Sequence, residues 1–363
     1  GVGYAALYDN TTGAQLVAIG RQALENNTTG SKNTASGYFA LGANTTGTMN
    51  VAVGAYTLQS NTTGAQNTAS GVYSLQFNTT GTGNTASGYK SAYFNTTGNC
   101  NTATGWYALE SNNGSDNTAT GNQAMRNNQT GNCNVAHGAQ SLRYNTTGHV
   151  NAAFGYQASH CNTTGSGNVS MGRSAMCLNT TGAVNVGIGD FALSNNTTAS
   201  HNVAVGNKSL AGNTTGPYLV AIGSLALCSN TTAPYNVAIG ACSSFNNATG
   251  ENNTSVGYQS LKTNTSSNDN TALGTYALCL TTGHSNTAVG KSAVQANSTG
   301  ALNTGIGKFA LSSNTTACFN TAVGGCSLYA NTTGFCNTAV GYKAMEFNTT
   351  GDQNTATGLR ALR

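Results

Sequence analysis

The sequence predicts an all-β fold, a β-solenoid (parallel β-helix or β-roll) of about 22 coils, each 17 residues long. Three observations lead there: a 17-residue period from end to end, a Gly at one fixed place in every period, and a composition unlike that of a packed globular domain. Only 6% of the 363 residues are charged, 47 are Gly and 2 are Pro. Intrinsic disorder calls for high net charge and few apolar residues, whereas the formal net charge is +4 and 38% of the residues are hydrophobic. Order must come from the repetition itself.

Written generally, the coil is [TV]-A-x-G-x-x-[AS]-L-x-x-N-T-T-G-x-x-N, running for example from Val17 to Asn33 and again from Thr34. Two coils, Thr102 to Asn117 and Thr271 to Asn286, are one residue short. Position 4 is Gly in every coil, from Gly3 to Gly358, which marks a corner or a close backbone approach. Position 7 is always small. Position 8 is mostly Leu (Leu24, Leu58, Leu193), replaced by Met125, Met176, Met345 or Val294, so positions 2 and 8 are expected to form the buried ladder. Positions 5, 6, 9 and 10 accept Tyr, Lys, Gln, Phe, Arg and Cys and are expected to face out. Asn at position 17 (Asn33, Asn50, Asn67, Asn84) fits an amide ladder along one corner. Helical repeats need about 30 residues for a helix pair, and Gly and Asn are poor in helix interiors, so the unit is one turn of β-structure. Stacked at about 4.8 Å, the coils would make a rod on the order of 100 Å long. Residues 1–363 read as a single continuous solenoid and as a window of a longer fibre, because Gly1 enters at coil position 2 and Arg363 leaves at position 9.

Several function classes are excluded by what does not recur. The nine Asp and Glu form no pair at a repeating position, and the five His (His137, His149, His160, His201, His284) occupy scattered columns. The ten Cys show no C-x-x-C and no Cys/His cluster. We therefore expect no catalytic residues, no metal site, no cofactor and no enzyme. Lys and Arg appear singly, which argues against nucleic acid as a partner. The best apolar run, Leu219-Val220-Ala221-Ile222, is cut by Gly223, so no membrane span is expected.

The chemistry with the clearest pattern is N-x-[ST], the acceptor pattern for N-linked sugar. It occurs at coil position 11, at Asn10, Asn27, Asn44, Asn61, Asn78, Asn95, Asn113, Asn128, Asn145, Asn162, Asn179, Asn196, Asn213, Asn230, Asn247, Asn264, Asn297, Asn314, Asn331 and Asn348. The middle residue changes to Gly114, Gln129, Ala248 or Ser298 while the hydroxyl at position 13 persists, whereas the Asn of position 17 is generally not followed by this pattern. This difference favours covalent glycans over a bare asparagine ladder. Cys161 and Cys177 lie 16 residues apart and Cys318 and Cys336 lie 18 apart, so each pair falls on adjacent coils where a disulfide could form in an oxidising exterior, with free thiols as the alternative.

The segment Asn337-Thr338-Ala339-Val340-Gly341-Tyr342-Lys343-Ala344-Met345 resembles the head repeats of YadA-type trimeric autotransporter adhesins, and the fuller unit with N-T-T-G is similar to repeats of phage-type tail-fibre proteins. The resemblance covers essentially the whole chain. It implies a left-handed parallel β-roll, often a homotrimer, displayed at a cell or virion surface for attachment. The expected function is thus an extracellular structural or adhesive fibre that self-associates. Two alternatives are a ligand-binding adhesin head, which an exposed aromatic stripe would favour, and an ice-binding solenoid. The latter is disfavoured because adjacent residues such as Thr11 and Thr12 point to opposite faces of a strand.

Overall fold

A computed structural model describes all 363 residues, Gly1–Arg363. Its regular elements are all β, and no helix is long and apolar enough to cross a membrane. The chain forms two compact units, Gly1–Val184 and Asn185–Arg363. The first carries ten three-residue strands, β1 (Val17–Ile19) to β10 (Val169–Met171). The second carries eleven, β11 (Val186–Ile188) to β21 (Thr355–Thr357).

Within each unit every strand pairs in parallel and in register with the strand of the next coil, as in Val17 with Thr34, Ala18 with Ala35 and Ile19 with Ser36. The two short coils keep this register, Thr102 facing Thr118 and Thr271 facing Thr287, so the missing residue is absorbed outside the strand. Hydrogen bonds between coils continue beyond the strands, for example Leu24 N–H to Ala40 O (3.0 Å), Thr28 N–H to Thr45 O (3.0 Å) and Lys32 N–H to Ala14 O (2.9 Å). Each coil is therefore a template for its neighbours alone.

Strand alternation puts position 2 inside and positions 1 and 3 outside. Position 2 alanines and position 8 side chains are buried in all but the terminal coils, including Leu24, Leu58 and Leu193. The two positions compensate each other. Where position 8 is Ser159, the hydroxyl donates to Ser170 at position 2 (2.9 Å), and Ser244 lies 2.8 Å from Ser255 in the same way. Where position 8 is Val294, position 2 is Gly305, and a Cβ there would lie 2.5 Å from Val294 Cγ2. Position 5 is largely exposed, as expected, but positions 6 and 9 are mostly half-buried because their side chains stack on those of adjacent coils.

Three corners of each coil use left-handed backbone, mostly at residues other than Gly, such as Gln22 (φ 58°), Leu24 (φ 52°) and Lys32 (φ 61°). This region is unfavourable for residues with a Cβ. Leu occupies it because the interior needs a side chain there, and inter-coil hydrogen bonds on both sides hold the backbone. Position 4 is different. At Gly71 φ is +127°, and an added Cβ would lie 2.6 Å from Gly88 O. Position 14 also crowds its neighbour, a Cβ at Gly81 falling 2.5 Å from Gly98 O, yet Ala199, Ala233 and Ala317 occupy that position in other coils.

Gly71→Ala should therefore lower stability by about 3 kcal/mol or more, combining strained φ with a backbone clash. Gly81→Ala should cost about 1 kcal/mol. Urea denaturation followed by circular dichroism compares the two, and equal losses would contradict the distinction.

Candidate functional site

The position 11 asparagines are interior residues. Asn44 Nδ2 donates to Gly47 O (3.0 Å) in its own coil and to Asn27 Oδ1 (2.8 Å) in the preceding one. Asn61 repeats the pattern with Gly64 O (2.9 Å) and Asn44 Oδ1 (2.8 Å). Position 17 forms a second column: Asn50 N–H donates to Asn33 Oδ1 (2.9 Å), and Asn50 Nδ2 donates to Gly64 O (2.8 Å).

This geometry overturns the expectation of N-linked sugar at position 11. Asn27, Asn44, Asn61, Asn78, Asn95, Asn128, Asn145, Asn162, Asn179, Asn196, Asn213, Asn230, Asn247, Asn264, Asn297, Asn314 and Asn331 are all fully buried. Asn10 and Asn348, in terminal coils, are half-buried and keep the bond to Gly13 O and Gly351 O. A sugar on Nδ2 would remove a donor hydrogen and need space that the adjacent coil fills. Asn113 is corrected differently. Asn112 takes the ladder place, donating to Gly114 O (2.9 Å), while Asn113 sits exposed at position 12 with its Oδ1 2.8 Å from Thr96 N. The residue missing from this short coil is position 13. The other short coil omits the same position, with buried Thr281 on the ladder accepting from Asn297 Nδ2 (3.0 Å) and Thr282 in the position 12 role, donating to Ser298 O (2.7 Å).

The two hydroxyls of N-T-T differ. Position 12 is mostly half-buried and donates to the next coil, as in Thr45 Oγ1 to Thr62 O (3.1 Å) and Thr79 Oγ1 to Thr96 O (3.0 Å). Position 13 is exposed throughout, from Thr29 and Thr46 to Thr333 and Thr350.

Of the two readings of the cysteine pairs, the structure has the free thiols: all ten cysteines are unbridged. The backbone does bring the pairs onto adjacent coils: Cys161 N–H donates to Cys177 O (2.9 Å), and Cys336 N–H donates to Cys318 O (3.2 Å). Their sulfurs are engaged elsewhere, Cys161 Sγ 3.5 Å from His160 Nδ1 and Cys318 Sγ accepting from Ala301 N (3.3 Å). Burial pushes the Cys161 and Cys177 thiols up, and Cys161 raises Cys177 further, which keeps both protonated and slow to exchange. Burial and then the Arg143 charge hold the His160 imidazole below its ordinary value. No three His, Cys, Asp or Glu side chains converge to hold a metal ion.

Two outer surfaces are distinctive. The first is the strand face, whose positions 1 and 3 carry no Lys, Arg, Asp or Glu in any strand. In the second unit position 3 runs Ile188, Val205, Ile222, Ile239, Val256, Leu273, Val289, Ile306, Val323 and Val340, with Ile222, Ile239, Ile306 and Val340 exposed. Sequence reasoning overlooked this face, although the confinement of charge to other coil positions was visible.

The second surface is an aromatic stripe in the first unit, at positions 5 and 6. Phe39 stacks on Tyr56 (6.0 Å, 9°) and Tyr56 on Tyr73 (5.3 Å, 15°), while Tyr38 stands perpendicular to Tyr56 (5.1 Å, 89°). Burial, with Tyr38 beside it, pushes the Tyr56 phenol up. Lys90 continues the column with its Nζ between 4.9 and 6.0 Å from the rings of Tyr73, Tyr89, Tyr93 and Tyr107. Beyond it, Arg126 lies over Tyr107 (4.9 Å) and pairs with Glu110 (2.5 Å). Tyr38, Tyr89 and Trp106 are exposed.

Compared with known proteins, the chain matches no family model and no curated relative.

If the asparagines are structural, Asn61→Ala should cost about 1–3 kcal/mol, because it leaves Gly64 O one donor short and Asn78 Nδ2 without one of its two acceptors. Thr63→Ala, at the exposed position 13, should change the unfolding midpoint negligibly. Treatment with an amidase that releases N-linked sugar should leave the mass at Asn44, Asn61 and Asn78 unchanged, whereas released glycan from these sites would refute the interior role.

Proposed function

We propose that this chain is a structural segment of a surface fibre, extracellular and without enzymatic activity, that self-associates through its strand face. The observation that carries the proposal is the uncharged pair of outward columns, aliphatic at position 3 over ten successive strands of the second unit. Charged residues are scattered over the rest of the coil and absent from these columns. Contiguous exposed apolar surface of this kind marks an interface. A strip that repeats at the strand spacing of about 4.8 Å is best covered along its length by a partner with the same repeat, and a second copy of this chain has it. Surface fibres of the resembling adhesin and tail-fibre families assemble from identical chains, which agrees with this reading.

Wild-type protein should sediment as an oligomer at micromolar concentration, and Ile222→Lys with Ile239→Lys should dissociate it to monomer with an unchanged β-spectrum. A wild-type monomer at high concentration would remove the basis for assembly through this face.

The aromatic stripe favours a second reading, in which the first unit also binds a ligand. Exposed rings offer apolar platforms for the C–H faces of sugar rings. Lys90 and Arg21, the latter 5.7 Å from Tyr4 and 5.9 Å from Tyr38, have ring neighbours and no carboxylate partner, which suits an acidic glycan. Trp106 is the only Trp and lies against Tyr107 (4.8 Å), so its fluorescence reports on the stripe. Titration with an oligouronate should give a saturable change that Tyr89→Ala or Lys90→Gln weakens about tenfold, equivalent to about 1.4 kcal/mol. No change with oligouronate, or an equal response to a neutral oligosaccharide, would count against it.

A further inference from the structure

We infer that the position 13 hydroxyls are attachment sites for O-linked sugar, forming a carbohydrate column along one edge of each unit. The inference is independent of self-association through the strand face.

Four observations carry it. Position 13 is exposed wherever it occurs, and its hydroxyl has no hydrogen-bond partner within the protein, as at Thr46, Thr63 and Thr80. Second, the fold does not need the residue. Both 16-residue coils close their ladders and keep strand register with position 13 deleted. Third, where the residue is present it is always Thr, apart from Ser266. Fourth, the same coil contains two controls. At position 1, outward on the strand, Thr and Val replace one another freely, as in Thr34, Val51 and Thr68, which is the behaviour of a site that wants only a β-branched shape. At position 12 the hydroxyl does bond the next coil, yet it gives way to Gln129 and Ala248. A hydroxyl kept where it has no internal use, and varied where it has one, is kept for something outside the chain.

A covalent sugar suits this edge. The threonines recur at the coil spacing of about 4.8 Å, close to the thickness of a pyranose ring. Single sugars or unbranched chains can lie side by side there, and branched ones cannot. A neutral hydrated coat would also keep a chain that is only 6% charged from sticking to copies of itself along this edge. The step is an ordinary glycosyl transfer. Threonine Oγ1 attacks the anomeric carbon of a nucleotide-activated sugar, the C1–Oγ1 bond forms and the C1–phosphate bond breaks. The nucleoside diphosphate leaves, and the hydroxyl proton passes to a base of the transferase.

The test is mass spectrometry, with electron-transfer fragmentation, of the full chain isolated from the cells that produce it. Sugar-sized increments should appear on Thr46, Thr63 and Thr80 and not on Thr45, Thr62, Thr79, Thr68 or Thr85, and alkaline β-elimination should remove them. Unmodified position 13 residues, phosphate-sized increments, or sugar spread equally over all threonines would overturn the inference. Thr63→Val made in the same cells should lose the increment at that coil and keep its unfolding midpoint without the sugar. A large fall in the midpoint of the unglycosylated variant would show that the hydroxyl is structural and would also overturn it.

Discussion

The fold depends on one shared acceptor in most coils, the carbonyl at position 14. Gly47 O receives Asn33 Nδ2 (2.8 Å) from the column at position 17 and Asn44 Nδ2 (3.0 Å) from the column at position 11. Gly64 O receives Asn50 and Asn61 in the same way (2.8 and 2.9 Å). Both lone pairs of a buried carbonyl are thereby used, and the two asparagine columns are tied into one network. Asn Oδ1 then reaches the next coil, through a side-chain amide in one column and a backbone N–H in the other. Asp has no donor, Ser has one, and Gln would place its amide a methylene too far. Only Asn supplies both donors and acceptor at this reach, and an unsatisfied member of such a network would cost more than the bond it failed to make.

This network explains how so little apolar surface can order the chain. Each coil contributes about one Leu or Met and two small residues to the interior. Burial of that size is weak beside the entropy of fixing 17 backbone residues, but each new coil meets a neighbour whose hydrogen-bonding groups are already in place. The left-handed corners follow from the same economy. Leu24, Leu41 and Leu58 accept positive φ because the turn that bears them also aims their side chains at the position 2 alanines. Replacement of Leu and Ala by Ser159 and Ser170 keeps the interior closed by exchanging apolar contact for a hydrogen bond.

Much of the architecture was legible in the period alone: β-solenoid, parallel strands, invariant corner at position 4 and a Leu/Ala interior. Position 17 was correctly read as a ladder. Position 11 was misread because N-x-[ST] is a local pattern, and nothing local distinguishes an asparagine that faces solvent from one that faces the next coil. The deciding fact, a carbonyl three residues on that both columns share, is a contact between coils. The short coils misled in a related way. Matching N-x-[ST] placed Asn113 on the ladder, whereas the structure keeps Asn112 there and drops position 13, because losing an exposed residue breaks no interior bond. The positive φ of Gln22 and Lys32 was also illegible, since that backbone usually signals Gly.

Repetition turns the chain into a set of parallel trials of one local structure, and this separates structural from functional constraint. Positions 2, 4, 8, 11 and 17 change rarely, and some changes are met by the adjacent coil, as Val294 with Gly305 or Thr281 with Asn297 show, although position 17 also admits Leu16 and Leu219. Positions 5, 6, 9 and 10 vary widely, and in the first unit their variation gathers rings around Lys90. A third class is restricted without an internal reason: uncharged at position 3, hydroxylated at position 13. Packing demands neither restriction, since a lysine at position 3 or a valine at position 13 would face water without breaking a bond within the coil. Constraint of that kind must act through what lies against the outer surface. It is therefore at these positions, and not in the well-ordered interior, that we propose the function of the coil resides.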